Sequence, residues 1–265
     1  MGRADVSELG LRRWGRTGPL VVLVHGVVAS SRTWWRVGAA LAEHGWSVLA
    51  VDLPGHGTAP PLRGMPDLGG LADGLVRALD TAGVARPVPV LWGHSLGALV
   101  VMEAARRVPG LAERVVLEEP PGRRGVDLVE TARGVRAEVA AARADLSGFL
   151  ERQRQDHREW AEGDVAARED VALCDAEAVA AALERGLGFD LVGLARQLPV
   201  PALLLAAAPQ RGSVLAEPER AEVFAALRQG RVVELDGGHC LHRERFDDYL
   251  GAATGWLGVP GGHAG

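Results

Sequence analysis

Residues 88–107 constrain the fold of this chain more than any other stretch, because they change from strand-like to helix-like sequence across five residues. The apolar run before the change predicts a buried strand, and the alanine- and valine-rich run after it predicts a helix. Gly93 and Gly97 flank Ser95 at equal distances, where a side chain would collide with neighbouring backbone in a tight turn. We therefore expect a strand, a sharp turn that strains Ser95, and a helix.

The pattern Gly-x-Ser-x-Gly at such a turn has two interpretations. In the first, Ser95 is a nucleophile whose hydroxyl stands clear of the backbone, beside the free amide of Leu96 and the positive end of the helix dipole. In the second, the serine only caps the helix and has no chemical role. Five residues do not distinguish these interpretations, so the rest of the chain must decide between them.

Length and charge restrict the class of protein. A chain of 265 residues suits one large domain, or a core domain with an inserted subdomain. Its net charge of −5 argues against nucleic acid or an anionic membrane as a partner. No secretion signal opens the sequence and no apolar run reaches the roughly 20 residues of a membrane span. We expect a soluble, cytoplasmic protein, and no disulfide or metal site from the isolated Cys174 and Cys240.

Strand and helix patterns alternate along most of the chain. This alternation implies right-handed crossovers and a mostly parallel, doubly wound α/β sheet with helices on both faces. A weaker run at residues 9–14 suggests an additional edge strand. The stronger strand candidates are residues 19–24, 46–51, 88–92, 114–119, 201–206 and 231–235.

The alternation fails between residues 122 and 198, where alanine, arginine and acidic residues recur with helical periodicity and no strand candidate occurs. We interpret this segment as an inserted helical cap. The predicted division is a core domain of residues 1–120 and 199–265, with a cap subdomain of residues 121–198.

Four short motifs follow predicted strands, at residues 25–26, 52–57, 93–97 and 237–239. In this order and spacing they resemble the α/β-hydrolase superfamily over nearly the whole chain. The resemblance implies an α/β-hydrolase fold with a cap, a serine nucleophile at Ser95 and a general base at His239. It also implies an oxyanion hole from the amides of Val27 and Leu96, and it calls for no metal or organic cofactor.

The chain departs from the commonest family pattern at the acid of the triad. The loop at residues 206–215, where family members usually carry aspartate, contains no carboxylate. Some members, including certain haloalkane dehalogenases and the zearalenone-type lactonases, place the acid one strand earlier, where this chain has Glu118 and Glu119. Successive strand residues point to opposite faces, so only one glutamate can face His239, and the family register favours Glu119. The sequence leaves that choice open, together with the alternative of two solvated carboxylates at a strand end.

The resemblance favours hydrolysis of a carboxylic ester or lactone of a hydrophobic small molecule. His239 would take the proton of Ser95, Glu119 would orient the imidazole, and each oxyanion donor would contribute about 3 kcal/mol. Serine at position 95 argues against epoxide hydrolase and dehalogenase chemistry, which use a carboxylate nucleophile in this fold. Two alternatives stay open: a carbon–carbon bond hydrolase of the same fold, and a receptor that uses the cavity without catalysis.

Four further residues are candidate substrate contacts: Gly26, Val28, Trp160 and Cys240. Glycine at position 26 allows close backbone approach to a ligand. Trp160 either lines an apolar pocket or packs on the core below the cap. Cys240 adjoins His239, although a small buried hydrophobe is the simpler interpretation of this residue. The expected partner is the small-molecule substrate, and a homodimer is left open.

Overall fold

The computed structural model describes residues 5–7, 10–62 and 67–258, with side chains from residue 10 onwards. Within these residues, eight strands form one sheet in the order β1-β2-β4-β3-β5-β6-β7-β8. Strand β2 pairs antiparallel with both β1 and β4, and every other pairing is parallel. The strands are β1 Asp5–Ser7, β2 Leu11–Trp14, β3 Leu20–Val24, β4 Ser47–Val51, β5 Val90–His94, β6 Val115–Glu118, β7 Ala202–Ala207 and β8 Gly230–Leu235.

Helices cover both faces of the sheet and fill the interval between β6 and β7. The first and last parts of the chain contribute α1 Trp35–Glu43, α2 Leu68–Thr81, α3 Leu96–Arg107, α9 Glu219–Ala226, α10 Leu241–Glu244 and α11 Phe246–Leu257. The interval contributes α4 Leu128–Ala144, α5 Leu146–Asp156, α6 Glu162–Ala166, α7 Ala176–Glu184 and α8 Leu191–Gln197. Short 3₁₀ helices occur at Ser31–Trp34, Ala167–Leu173 and Pro209–Arg211.

The central strands are apolar on both faces because the sheet is covered on both sides. In β3, Val22 and Val24 pack into the cluster beneath α2 and α3, whereas Val21 and Leu23 pack into the cluster beneath α1 and α11. All four side chains have no solvent exposure. The predicted α/β-hydrolase fold and its doubly wound, mostly parallel sheet are confirmed. Strand β1 lies in the polar start of the chain, where the sequence predicted no strand.

Two of the elements between β6 and β7, α6 and the 3₁₀ helix Ala167–Leu173, contact the core at residues 30–35. The Ser30 hydroxyl donates to Asp170 at 2.7 Å, and the Arg32 guanidinium lies 3.2 Å from the same carboxylate. The Trp35 indole N–H donates to Asp164 at 2.9 Å. Helix α8 packs instead against α3 and α9. The predicted boundaries of core and cap, at residues 120 and 199, stay predictions.

In the described part of the chain, the structure contains no helix long and apolar enough to cross a membrane.

Candidate active site

Ser95 occupies the sharp turn between β5 and α3, with φ of 54° and ψ of −120°. Both flanking glycines are required by close backbone contacts. A Cβ on Gly93 would lie 2.3 Å from the Gly97 carbonyl oxygen, and one on Gly97 would lie 2.3 Å from the carbonyl oxygen of Val24 in β3. The Ser95 side chain makes no capping hydrogen bond to α3. The helix-cap interpretation of this serine is therefore excluded, and the strained turn is as predicted.

His239 lies on the turn between β8 and α10, and its Nε2 is 3.0 Å from the Ser95 Oγ. The His239 carbonyl oxygen is 3.0 Å from Nε2 of His94, the residue before the serine. Burial lowers the pKa of His94 well below its ordinary value of 6.5, so its imidazole is neutral and Nε2–H donates this bond. His94 thus ties the loop that carries His239 to the end of β5.

Glu119 follows β6 directly, with a positive φ of 44° and no solvent exposure. Its Oε2 lies 3.7 Å from the His239 Nδ1, which has no hydrogen-bond partner within the described residues. This distance exceeds that of a hydrogen bond, although such contacts often tighten when substrate binds. Among the described residues, Glu119 supplies the only carboxylate within 4.0 Å of the His239 ring.

Glu118 faces a different histidine. Its carboxylate accepts hydrogen bonds from the His242 backbone amide at 3.0 Å, from the His242 Nδ1–H at 2.8 Å and from the Tyr249 hydroxyl at 2.8 Å. Neither Glu118 nor Glu119 is exposed to solvent, so the alternative of two solvated carboxylates is wrong. Each carboxylate is instead surrounded by hydrogen-bond donors from later segments of the chain.

The end of β7 and the loop that follows, which lacks the usual aspartate, instead donate hydrogen bonds to Glu119. The carboxylate accepts from the Ala207 amide at 2.7 Å, the Ser213 hydroxyl at 3.0 Å and the Val214 amide at 3.0 Å. Arg220, which is 2% exposed, donates in turn to Ser213 Oγ at 3.2 Å. These donors orient the glutamate, and nothing in the sequence pattern singled them out.

The turn after β3 passes directly over Ser95, as the glycine at position 26 predicted. A Cβ on Gly26 would lie 3.0 Å from the Ser95 Cβ and 2.9 Å from the His94 Nδ1. Within the described residues, neither the Val27 nor the Leu96 amide donates to a protein acceptor. Leu96 is the first residue of α3, so its free N–H lies at the positive end of the helix dipole. The predicted oxyanion hole at these two amides stays a prediction.

The remaining candidate contacts lie around this turn and the His239 loop. Val28 is buried with φ of 53°, and its carbonyl oxygen accepts from Arg168 Nη1 at 2.8 Å. Trp160 is half-buried, and its ring lies 4.3 Å from the guanidinium of Arg243 on α10. Cys240 is half-buried, and burial raises its pKa to about 11, so the thiol is protonated at neutral pH. The sequence did not single out Arg168 or Arg243.

Three buried groups have donor atoms close enough to hold a metal ion: His94, Glu118 and His242, within 4.8 Å of one another. Their hydrogen bonds give a simpler account of the cluster. The His242 Nδ1–H donates to Glu118 and the His94 Nε2–H to the His239 carbonyl oxygen, while the other His242 nitrogen lies 3.1 Å from Thr33 Oγ1. A metal ion would have to displace bonds that orient the His239 loop.

Comparison with known proteins supports this reading of the fold. An uncharacterised protein of Mycobacterium tuberculosis is 36% identical over 106 residues, which span 40% of this chain and 30% of the relative's length. The pimeloyl-[acyl-carrier protein] methyl ester esterase of Methylococcus capsulatus is 30% identical over 81% of this chain and 84% of the relative. The crystal structure of an enol-lactonase from Burkholderia xenovorans LB400 superposes with a TM-score of 0.73 at 25% identity, covering 93% of this chain and 95% of that one. Residues 21–252 match the model of the alpha/beta hydrolase family, and the chain belongs to this family.

Proposed function

We propose that the protein is a serine hydrolase that cleaves a carboxylic ester or lactone through Ser95, His239 and Glu119. The observation that carries the proposal is the 3.0 Å contact between Ser95 Oγ and His239 Nε2, made by a serine held at positive φ. A serine hydroxyl is a weak nucleophile at neutral pH, and a hydrogen-bonded imidazole base is what activates it.

In the first half of the reaction, Ser95 Oγ attacks the substrate carbonyl carbon while His239 Nε2 takes the hydroxyl proton. The negative charge that forms on the carbonyl oxygen is stabilised by the amides of Val27 and Leu96. His239 then returns its proton to the alkoxy oxygen as the carbon–oxygen bond breaks. With an ester the alcohol departs, and with a lactone it stays attached to the acyl group on Ser95.

In the second half, a water molecule loses a proton to His239 and attacks the acyl carbon. His239 then returns that proton to Ser95 Oγ as the bond between Oγ and the acyl carbon breaks, which releases the carboxylic acid. Glu119 accepts the Nδ1–H of His239 throughout, so that Nε2 is presented to Ser95 and the imidazolium is stabilised. Three donors from residues 207–214 hold the Glu119 carboxylate in position for this role.

Two of the relatives support an ester or lactone substrate. The 30% identical relative is named for a methyl ester, and the 25% identical structure is named as an enol-lactonase. An acid after β6 instead of β7 is the feature that the chain shares with zearalenone-type lactonases, and that closer resemblance stays a prediction. The cytoplasmic location and the homodimer considered from the sequence also stay predictions.

The test is covalent labelling followed by substrate profiling. A small fluorophosphonate should add once to the wild-type protein and not to Ser95→Ala, as read by intact mass, while the exposed serine variant Ser147→Ala should label normally. A panel of esters, lactones and diketones should then give carboxylic acid products from the first two classes. Equal labelling of Ser95→Ala and wild type would exclude Ser95 as the nucleophile, and cleavage of diketones alone would favour the carbon–carbon bond hydrolase.

A further inference from the structure

Arg243 is a buried cation without a carboxylate partner. It lies on α10, four residues after His239, and is 5% exposed. In the described part of the chain, no carboxylate oxygen lies within 4.0 Å of its guanidinium. Burial lowers the pKa of Arg243, which reflects the cost of keeping this charge away from water. Buried charges in native proteins are almost always paired, so a buried cation without a carboxylate partner requires an explanation.

One edge of the Arg243 guanidinium is held by a chain of hydrogen bonds. Its Nη2 donates to Thr33 Oγ1 at 2.6 Å, and Thr33 Oγ1 lies 3.1 Å from Nε2 of His242. Burial lowers the pKa of His242 well below 6.5, so the ring is neutral, with its Nδ1–H donating to Glu118 and Nε2 accepting from Thr33. These hydrogen bonds fix the position of Arg243 but leave its Nε–H without an acceptor.

The face of the same guanidinium packs against the insertion between β6 and β7. Its Cζ lies 4.3 Å from the centre of the Trp160 ring, which stacks on His157 at 3.8 Å. The Trp160 Nε1–H is buried and also has no hydrogen-bond partner. Trp160 therefore presents a donor without an acceptor next to a cation without a counter-ion.

Arg168 adds a third donor from the 3₁₀ helix Ala167–Leu173. It is 8% exposed, donates through Nη1 to the Val28 carbonyl oxygen at 2.8 Å and pairs through Nη2 with Glu138. Its Nε has no partner. Arg168 is close enough to Arg243 for its charge to contribute to the lowered pKa of that residue, and both arginines act on Cys240, the neighbour of His239.

The nearby carboxylates are already occupied by other donors. Glu118 accepts from His242 and Tyr249, and Asp164 accepts from the Trp35 indole at 2.9 Å and from the Ala161 amide at 3.1 Å. Buried polar groups in native proteins are almost always paired, so three unpaired N–H donors at one boundary require an explanation.

We propose that Arg243, Arg168 and Trp160 form a subsite for a carboxylate carried by the substrate, on the side of Ser95 where the insertion meets the core. A carboxylate has two oxygens with several lone pairs and accepts from more than one N–H donor at once. Arg168 donates to the Val28 carbonyl oxygen in the turn that supplies Val27, and Arg243 follows the loop that supplies His239. We therefore expect a short acyl chain to join the bound carboxylate to the reacting carbonyl. The proposal rests on the ester hydrolysis proposed above and specifies its substrate class: esters or lactones of acids that bear a second, free carboxylate.

The experiment compares two matched substrates. The nitrophenyl monoester of glutaric acid carries a terminal carboxylate, and nitrophenyl hexanoate is a neutral ester of similar length. For the wild type we expect kcat/KM to be at least about tenfold higher for the glutarate monoester, as one charge-assisted hydrogen bond provides. An equal or lower kcat/KM for this substrate, in a protein whose Ser95 is labelled by fluorophosphonate, overturns the carboxylate subsite and leaves the proposed hydrolase intact. No labelling overturns the hydrolase itself.

Two variants locate the subsite. Arg243→Gln should reduce the ratio of kcat/KM for the glutarate monoester over the hexanoate to about one. Trp160→Phe, which removes the indole N–H with the five-membered ring that carries it and keeps a six-membered aromatic ring, should reduce that ratio about three- to tenfold and remains informative if Arg243→Gln does not fold. Trp256→Phe, at another tryptophan beside an arginine, serves as the matched control. If Trp160→Phe leaves this ratio unchanged, the assignment to these residues is overturned, whether or not Arg243→Gln folds.

Discussion

Replacing Glu119 by glutamine tests which of the two adjacent glutamates acts on His239. The substitution keeps size and shape but replaces one acceptor oxygen by an NH₂ donor. The two oxygens of Glu119 accept from the backbone amides of Ala207 at 2.7 Å and Val214 at 3.0 Å. In either orientation of the glutamine side chain, its NH₂ group would therefore face one of these N–H donors. One buried N–H then loses its partner, which costs about 1–3 kcal/mol of unfolding free energy.

The effect of Glu119→Gln on catalysis should be much larger than its effect on stability. Without the carboxylate, His239 loses the group that fixes its tautomer, and a comparable change in a serine-protease triad lowers kcat about 10⁴-fold. We expect a loss of about 10³- to 10⁴-fold in kcat for a nitrophenyl ester. The fall in Tm should be about 2–4 °C for each kcal/mol lost, so the assay is run well below the variant's Tm.

Glu118→Gln is the matched control, since this residue is equally buried one position earlier. Its Oε2 accepts from the Tyr249 hydroxyl, which can rotate to accept from a glutamine NH₂, and its Oε1 can keep both bonds from His242. We expect less than a tenfold loss of kcat. Full activity in Glu119→Gln, or a loss of about 10³-fold confined to Glu118→Gln, would refute the assignment of Glu119.

Three further predictions concern the turn at Ser95, the buried His56 and the thiol of Cys240. Gly97→Ala should destabilise the protein strongly in a urea titration, because its Cβ would lie 2.3 Å from a β3 carbonyl oxygen, whereas Gly134→Ala, on an open helix surface, should stabilise it by up to about 1 kcal/mol. Burial lowers the pKa of His56 to about 3, so unfolding takes up a proton and stability falls as pH drops from about 6.5 towards 3. His56→Phe should reduce the slope of the unfolding free energy against pH by up to about 1.4 kcal/mol per pH unit. His44→Gln, at an exposed histidine, should leave that slope unchanged. Cys240, whose pKa burial raises to about 11, should resist iodoacetamide at pH 8 until guanidinium exposes it; rapid alkylation of the native protein would contradict that burial.

Much of the candidate site could be predicted from sequence because its requirements are local. Glycines on both sides of Ser95 follow from the space available in a tight turn, and the structure places Gly93 and Gly97 against backbone oxygens and carbons as expected. The position of His239 after the last strand follows from the order of strand patterns. Parallel strands end at one edge of the sheet, and this brings Ser95 and His239 together from 144 residues apart.

The histidine faced by each glutamate could not be predicted in the same way. Alternation along β6 shows that Glu118 and Glu119 point apart, but it does not show what each one meets. Glu119 already lies beyond the strand, at φ of 44°, and its carboxylate accepts hydrogen bonds from residues more than eighty positions later in the sequence. Ser213 and Val214 carry no pattern that marks them as its partners.

The sequence by itself determined the layered α/β architecture, the strained turn at Ser95 and the order in which Ser95, the two glutamates and His239 follow the strands. Hydrophobic periodicity and glycine placement are local properties, and each restricts the backbone without reference to distant residues. Only the tertiary structure decided which glutamate faces His239 and which cations gather beside it. Arg168 and Arg243 belong to separate segments, and Arg168 lies in a helical insertion where several other arginines form ion pairs at the surface, such as Arg136 with Glu184 and Arg154 with Glu162. Their burial depends on how the insertion packs on the core, because a guanidinium has the same sequence signature whether it faces water or a substrate.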